Sequence, residues 1–232
     1  DFASDSLYGN EGDDTLDGGG GADLLDGGPG SDTAIYVNSP EGVSVDLNLQ
    51  SGFAGEAYGD IFVGIENVVG SAFGDSLVGN SAANRLDGGA GVDILIGGLG
   101  NDTYVVDTEF DTLTELAGEG TDLVQSTITW FLGAELENLT LLGAAAINGS
   151  GNELANVITG NGAVNELFGN GGNDSLDGGV GADKRANAHQ VEQNADGLEG
   201  EEAHRSMSGM TRSRLPIMAR ASGRIMPLLA SS

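Results

Sequence analysis

One apolar residue recurs every nine positions over much of the chain, between neighbours that are small or polar. Because side chains alternate across a β-strand, this pattern predicts a three-residue strand whose middle residue points inward. The six remaining positions are rich in glycine, which tolerates the positive φ angles of tight turns. Each unit is therefore predicted to form one turn and one strand, and two units are predicted to form one coil of eighteen residues. The inward positions are Leu16, Leu25, Leu77, Leu86, Leu95, Ile158, Leu167 and Leu176.

Three blocks of these units divide the chain. Their shared pattern is G-G-x-G-x-D-x-(apolar)-x, as in "GGGGADLLD" at residues 18–26 and "GGAGVDILI" at residues 88–96. The pattern predicts a first repeat block, a β-strand linking segment, a second repeat block, a second β-strand linking segment, a third repeat block and a non-repeat tail. These segments cover residues 1–35, 36–69, 70–105, 106–150, 151–183 and 184–232, respectively.

The linking segments are also predicted to form strands. In "VSVDLNL", the apolar residues Val43, Val45, Leu47 and Leu49 alternate with polar ones, which predicts a half-buried strand. The later segments "TYVVD", "LTEL", "LVQSTITWFL" and "LENLTLL" are rich in strand-forming residues. From Val68 to Tyr104 the apolar position keeps the period of nine, so the coils are expected to begin before the glycines of the second block. After Leu139 the spacing loosens, with eight residues to Ile147 and eleven more to Ile158.

The net charge of −28 is unevenly distributed. Residues 1–183 carry 31 acidic side chains and one base, Arg85, whereas residues 184–232 carry seven bases and five acids. So acidic a region repels nucleic acid and anionic membranes and attracts cations. No apolar run reaches the length of a membrane-spanning helix, and the absence of cysteine excludes disulfides and thiolate metal sites.

The nonapeptide resembles the RTX, or haemolysin-type, calcium-binding repeat found in bacterial proteins. The resemblance extends over residues 1–183 and includes "GIENVVGSAFGDSLVGN" and "LENLTLLGAAAINGSGNELANVITGN", which are similar to linking segments of that family. It implies an all-β fold, a parallel β-roll or right-handed β-solenoid with interspersed β segments. It also implies calcium ions between stacked turns, bound by aspartate side chains and turn carbonyls, and export through a type I secretion apparatus to the extracellular space.

Elementary electrostatics supports the same cation. Same-side turns stack, so Asp14 is expected above Asp32 on one edge, and Asp23 is expected to pair with the partial unit around Asp5 on the other. Carboxylates spaced about 4.8 Å apart repel one another unless a cation lies between them, and carboxylate and carbonyl oxygens suit Ca²⁺. The candidate ligand residues are Asp14, Asp23, Asp32, Asp93, Asp102, Asp174 and Asp183, with turn glycines Gly12, Gly19, Gly21, Gly28, Gly30, Gly89, Gly91, Gly98, Gly100, Gly172, Gly179 and Gly181.

Three units depart from the pattern at the aspartate position, which carries Asn84, Asn156 or Asn165. The same units also lack the glycine two positions earlier. Loss of a charge and of a turn glycine predicts weak or empty calcium sites where Asn84 faces Asp102 and where Asn165 faces Asp183.

Other residues admit a functional and a structural interpretation. Trp130 and Phe131 suggest sugar stacking, but packing in a strand core or cap is favoured because aromatic residues suit half-buried strands. Tyr104 is likewise expected in the core. Arg85 either replaces a cation in its degraded turn or is solvated. His189 and His204 lack a zinc-site spacing and are expected to be solvated.

The tail after Asp183 breaks the pattern, because Arg185 takes the inward apolar position. Three interpretations remain: a disordered or weakly helical tail, an uncleaved C-terminal secretion signal, or a frame-shifted translation of further repeats. The chain starts at Asp1 within a repeat, as a fragment or processed form would.

No catalytic motif is present in the sequence, since nucleophile elbow, zinc-protease helix, phosphate-binding loop and cysteine nucleophile are all missing. The leading hypothesis is a calcium-binding structural module of a secreted bacterial protein that folds on extracellular Ca²⁺. The alternatives are the C-terminal part of a secreted protease or lipase, and an adhesin or matrix protein whose repeats bind glycans or surfaces.

Overall fold

The computed structural model describes residues 2–187, which form short strands joined by turns and one 3₁₀ helix at Gly55–Ala57. The strands are β1 Ser6–Tyr8, β2 Thr15–Leu16, β3 Leu24–Asp26, β4 Thr33–Ile35, β5 Ser44–Asp46, β6 Ser51–Ala54, β7 Ile61–Val63, β8 Asn67–Val69, β9 Ser76–Val78, β10 Arg85–Asp87, β11 Ile94–Ile96, β12 Thr103–Val106, β13 Thr112–Thr114, β14 Leu123–Ser126, β15 Trp130–Phe131, β16 Asn138–Leu141, β17 Gly149–Ser150, β18 Val157–Thr159, β19 Glu166–Asn170, β20 Ser175–Asp177 and β21 Lys184–Asn187. The described part of the chain is therefore all-β.

The strands alternate between sheets, as a solenoid requires. A nine-stranded parallel sheet runs in the order β2-β4-β8-β10-β12-β14-β16-β18-β20. An eight-stranded sheet, β1-β3-β7-β6-β5-β9-β11-β13, and a four-stranded sheet, β15-β17-β19-β21, contain the strands between them. Within the repeat blocks, partners are one coil apart: Leu7 pairs with Leu25, and Leu86 pairs with Tyr104. The predicted coil of eighteen residues is confirmed at these pairs.

The linking segments continue the solenoid with coils of other lengths. Tyr104 pairs with Val124, Val124 with Leu139, and Leu139 with Ile158, so successive partners are 20, 15 and 19 residues apart. Insertions and deletions therefore fall in the turns and leave the strand register intact.

The first linking segment inserts an antiparallel hairpin into an otherwise parallel sheet. Strand β5 pairs with β6 in antiparallel register, and β6 pairs with β7 in the same way. The side chains of Val43, Val45 and Leu47 are buried, as their alternation predicts, but Leu49 is 61% exposed. The expectation of an inward Leu49 was wrong, because β5 ends at Asp46 and the chain turns back after it.

The core is a column of inward side chains that most of the strands contribute. Leu16, Leu25, Leu77, Leu86, Leu95, Ile158 and Leu167 are buried, and Leu176 packs against them at the end. In the four-stranded sheet the inward strand position between Trp130 and Leu167 belongs to Gly149, and Ile147, just before that strand, is also buried in the core. A side chain at Gly149 would crowd Leu139 and Ile158, so glycine is the residue that fits there.

The third repeat block ends in one more strand than its pattern predicts. Strand β21 pairs with β19, and Arg185 stands opposite Leu167 in that pairing. Arg185 is exposed, in agreement with the expectation that it does not enter the core. No helix among residues 2–187 has the length and apolar character needed to cross a membrane. His189, His204 and the other tail predictions beyond residue 187 lie outside the described residues.

Candidate metal centres

The aspartates at the sixth position of the units form hydrogen-bonded ladders along the solenoid. The backbone N–H of Asp14 donates to Asp32 Oδ1 over 2.8 Å, one coil later. The N–H of Asp75 donates in the same way to Asp93 Oδ1 over 2.9 Å. Equivalent bonds join Asp5 to Asp23, Asn84 to Asp102, Asn156 to Asp174 and Asn165 to Asp183. One carboxylate oxygen of six predicted ligands is thereby fixed in the gap between two coils, namely in Asp23, Asp32, Asp93, Asp102, Asp174 and Asp183.

The second carboxylate oxygen, Oδ2, has no such hydrogen bond in most of these aspartates. Oδ2 is buried and has no hydrogen-bond donor among the described residues in Asp14, Asp23, Asp32, Asp93, Asp102 and Asp183. Leaving a buried carboxylate oxygen without a partner is costly, because the oxygen loses water and gains nothing in return. A bound cation removes this cost. These atoms therefore fit a metal site at the positions that the sequence selects.

The turn glycines bring backbone carbonyls into the same gaps. A Cβ atom on Gly28 would overlap the carbonyl oxygen of Asn10, and one on Gly30 would overlap that of Gly12. Glycine therefore lets each turn lie directly above the carbonyls of the turn one coil earlier. Other predicted glycines lie against a carbonyl oxygen of the earlier coil in the same way. The pairs of glycine and carbonyl residue are Gly21 and Ala3, Gly89 and Ser71, Gly91 and Phe73, Gly98 and Asn80, Gly100 and Ala82, Gly172 and Leu154, Gly179 and Asn161, and Gly181 and Ala163.

Two of the predicted glycines have different surroundings. A Cβ atom on Gly12 would have no neighbour within 4 Å, and φ at Gly12 is 122°. Gly19 has a φ of 69°, so backbone conformation is its requirement. The resulting donor set of carboxylate and carbonyl oxygens, without nitrogen or sulfur, is the one that Ca²⁺ prefers.

Burial also changes the acidity of these carboxyls. It raises the pKa of Asp93 and of Asp102 from 3.8 to about 6, against the hydrogen bond that each accepts from a backbone N–H. The neighbouring carboxylates Asp111 and Asp122 contribute a smaller part of these increases. Without a cation, the gap between the coils therefore disfavours the ionised form.

The ladders include acidic residues of the linking segments that the nonapeptide pattern missed. The backbone N–H groups of five aspartates donate to these side chains. The pairs, with the donor first, are Asp23 and Asp60, Asp32 and Glu66, Asp93 and Asp111, Asp102 and Asp122, and Asp122 and Glu137. A signal was available in the sequence. Asp60, Asp111 and Asp122 each stand two residues before an inward apolar residue, as every repeat aspartate does.

The two "EN" pairs of the linking segments play one structural role. Glu66 and Glu137 each accept the backbone N–H of an aspartate, Asp32 and Asp122. The following residues, Asn67 and Asn138, donate their side-chain amides to the carbonyl oxygens of the same two aspartates.

One repeat aspartate lacks the open oxygen. Asp75 accepts three hydrogen bonds from Ser71 and Val43, through the Ser71 N–H, the Ser71 hydroxyl and the Val43 N–H. Its carboxylate is satisfied by protein groups. The hydroxyl of Ser71, at a position where other units have glycine or asparagine, distinguishes this turn.

The asparagine turns are satisfied in another way. Asn84 Nδ2 donates to the carbonyl oxygen of Glu66, one coil earlier, while Asn84 Oδ1 accepts the N–H of Asn80. Asn156 and Asn165 repeat this arrangement, with Nδ2 donating to Glu137 and Ile147, respectively. In these turns the side-chain amide N–H thus binds a carbonyl oxygen, as a cation could in an aspartate turn.

The remaining candidates lie either in the core or at the surface. Trp130 is buried in the core, whereas Phe131 is 70% exposed. Tyr104 is fully buried at its inward position. The Arg85 guanidinium bonds Asp87 and Gln125, so it forms surface contacts and does not replace a cation within its turn.

Comparison with known proteins agrees with the geometry. Residues 2–34, 69–104 and 150–184 match the family model of the RTX calcium-binding nonapeptide repeat. No curated protein matches the sequence. The matched ranges contain all seven predicted aspartates and the glycine-lined gaps described above. Repeats of this family bind calcium, and several repeats imply several ions. The repeats within residues 2–184 therefore belong to the RTX calcium-binding nonapeptide repeat family.

Proposed function

We propose that this protein is a calcium-dependent structural module of a secreted bacterial protein, whose solenoid folds when Ca²⁺ binds. The proposed ligands are Oδ2 of the repeat aspartates together with carbonyl oxygens of the stacked turns. The proposal rests on the buried Oδ2 atoms that have no hydrogen-bond donor among the described residues. Asp174 is included among the proposed ligands because it has the same position in its unit and accepts the same hydrogen bond from the coil before. The full set of aspartates is Asp14, Asp23, Asp32, Asp93, Asp102, Asp174 and Asp183.

Charge couples the binding of calcium to folding. Few bases offset the acidic residues of the repeats, and the folded chain buries carboxylates in rows. The unfolded chain separates these carboxylates and presents no formed site. The free energy of calcium binding is therefore available only to the folded state and adds to its stability.

The coupling suits a protein that is exported unfolded. Cytosolic calcium is too low to fill the sites, so the chain remains in a state that a type I secretion apparatus can thread. Extracellular calcium, at millimolar concentration, then drives folding. The repeat family is typical of secreted bacterial proteins, which supports an extracellular location. The absence of cysteine is consistent with stabilisation by calcium in place of disulfides.

Circular dichroism of the full chain during a calcium titration tests this proposal. We expect a largely disordered far-UV spectrum in EDTA and a cooperative gain of β signal as Ca²⁺ rises at constant ionic strength. Magnesium at the same concentration is the control, because its strict octahedral geometry fits these sites poorly. A β-rich spectrum in EDTA that calcium leaves unchanged would refute the proposal.

A further inference from the structure

Glu115 lies outside every nonapeptide unit but joins the carboxylates of the second repeat block. It directly follows β13, the last strand of the eight-stranded sheet. Carboxylate oxygens of Asp102, Glu115 and Asp122 lie within 4.8 Å of one another. All three residues are buried, and the exposed fraction of Glu115 is only 8%.

Neighbouring groups hold Glu115 in place and leave one of its oxygens open. The hydroxyl of Tyr104 donates to Glu115 Oε1 and accepts the N–H of Gly97 over 2.6 Å. Glu115 Oε2 is buried without a hydrogen-bond donor among the described residues, as is Asp102 Oδ2. Asp122 is fixed as well, because its Oδ1 accepts the N–H of Asp102 over 2.7 Å. Two members of the cluster thus each retain a buried carboxylate oxygen without a donor.

Oxygens of Asp102, Tyr104 and Glu115 approach one another beside Gly97. A Cβ atom on Gly97 would overlap Asp102 Oδ2 and the Tyr104 hydroxyl, and it would lie 2.5 Å from Glu115 Oε1. Gly97 therefore borders the point where these oxygens meet.

No described base neutralises the cluster. The ion pairs found among residues 2–187 join Arg85 to Asp87 and Lys184 to Glu166, and neither pair includes a member of the cluster. Three buried carboxylates at this distance repel one another strongly. A cation between them converts that repulsion into attraction.

The separation suits calcium. Ca²⁺ binds oxygen at about 2.3 to 2.6 Å, so two oxygens of one ion are at most about 5 Å apart. The oxygens of this cluster satisfy that limit. We propose that Asp102, Glu115 and Asp122 bind one calcium ion, with Glu115 and Asp122 as ligands supplied by the linking segment. This inference rests on the proposed function, from which it takes Asp102 as a calcium ligand.

Such an ion would join the second repeat block to the linking segment. The eight-stranded sheet ends at β13, whereas the nine-stranded sheet continues from β12 to β14 beside it. The site lies at this end and connects residues on both sides of it. A carboxylate from the linking segment thus replaces the aspartate of a further repeat.

Calcium stoichiometry tests the proposal directly. Glu115→Gln retains a carbonyl oxygen for the Tyr104 hydrogen bond but removes the charge. We expect equilibrium dialysis of the full chain to show one bound Ca²⁺ fewer, or one site weakened by at least about 10-fold. Glu109→Gln, on an exposed residue of the same segment, is the matched control and should retain the wild-type count. An unchanged count and unchanged affinities in Glu115→Gln would overturn the proposal.

Terbium luminescence supplies a readout that does not depend on that variant folding. Tb³⁺ occupies calcium sites and emits when a nearby tyrosine is excited. We expect calcium-displaceable emission in the wild type that falls several-fold in Tyr104→Phe, with Tyr58→Phe, on an exposed residue, as control. Equal emission in Tyr104→Phe and wild type would overturn the assignment. If the wild type binds no calcium at all, the proposed function fails; if it binds calcium normally and only these variants give the contrary result, this inference alone fails.

Discussion

Asn84 donates a side-chain hydrogen bond of 2.8 Å to the carbonyl oxygen of Glu66, one coil earlier in the solenoid. At the same position of other units an aspartate has a buried oxygen without a donor. The protein therefore contains two kinds of turn. Most aspartate turns have a buried carboxylate oxygen without a donor, whereas asparagine turns satisfy a carbonyl oxygen with an amide.

Asn84→Asp should convert one kind of turn into the other. The change removes an amide donor and buries a carboxylate next to Asp102, which accepts the N–H of residue 84. If folded protein persists without calcium, we expect a loss of about 1 to 3 kcal/mol of unfolding free energy in EDTA. The loss should shrink at saturating calcium. Urea unfolding followed by circular dichroism measures both values.

Asn48→Asp is the control for this substitution. Asn48 is exposed, so the variant adds the same charge without burying it. Where EDTA leaves no folded protein, the calcium midpoint of folding replaces the unfolding free energy and should rise for Asn84→Asp alone. Equal behaviour of the two variants at every calcium concentration would show that asparagine has no special role in its turn.

Asp93→Ala should shift the calcium midpoint of folding to higher concentration. Asp93 has a buried Oδ2 without a donor, so its removal deletes a proposed ligand. Asp46→Ala is the comparison, because Asp46 only caps a turn by accepting the N–H of Leu49 over 2.8 Å. We expect the larger shift for Asp93→Ala in a titration followed by circular dichroism. Identical shifts would contradict the ligand assignment.

The repeat blocks were predictable because their information is local. The inward apolar residue and the aspartate or asparagine two residues before it lie within one unit, and the unit repeats every nine residues. The coils of the linking segments carry no such period. Val124 pairs with partners 20 residues before it and 15 after it, and this register depends on turn lengths that only the stacked structure defines.

The contribution of Glu115 was not predictable for a related reason. Glu115 follows its strand directly, whereas the repeat aspartates precede theirs. It reaches the row of carboxylates only because β13 ends its sheet and the chain turns toward Tyr104. Hydrogen bonding across coils, not spacing along the chain, brings it to the site.

Acid should stabilise the calcium-free folded protein and, at the same time, weaken the binding of calcium. Burial raises the pKa of Asp93 and Asp102 in the folded, calcium-free protein from 3.8 to about 6. A raised pKa means that the folded state binds more protons than the unfolded state, so this contribution is complete below about pH 4 and is lost as the pH rises through about 6. We expect the folded fraction in EDTA to be larger at about pH 5 than at about pH 7.5.

With calcium present, the same protons compete with the ion for the carboxylates. The calcium midpoint of folding should therefore rise as the pH falls from about 7.5 to about 5. Circular dichroism in EDTA and during calcium titrations at both pH values measures the two effects. A calcium midpoint that does not depend on pH would argue against Asp93 and Asp102 as ligands.

Gly30→Ala should separate two coils that glycine allows to touch. A Cβ atom at this position would overlap the carbonyl oxygen of Gly12, which is backbone and cannot rotate away. In the presence of calcium, we expect the unfolding free energy to fall by about 1 to 3 kcal/mol, because of overpacking and displacement of a proposed carbonyl ligand.

Gly162→Ala is the matched control, because its Cβ atom would have no neighbour within 4 Å. Thermal unfolding at saturating calcium should show a lower midpoint for Gly30→Ala and a nearly unchanged one for Gly162→Ala. Equal midpoints would mean that the coils can move apart without cost, and that close stacking of the turns is not what holds the carbonyls at the calcium sites.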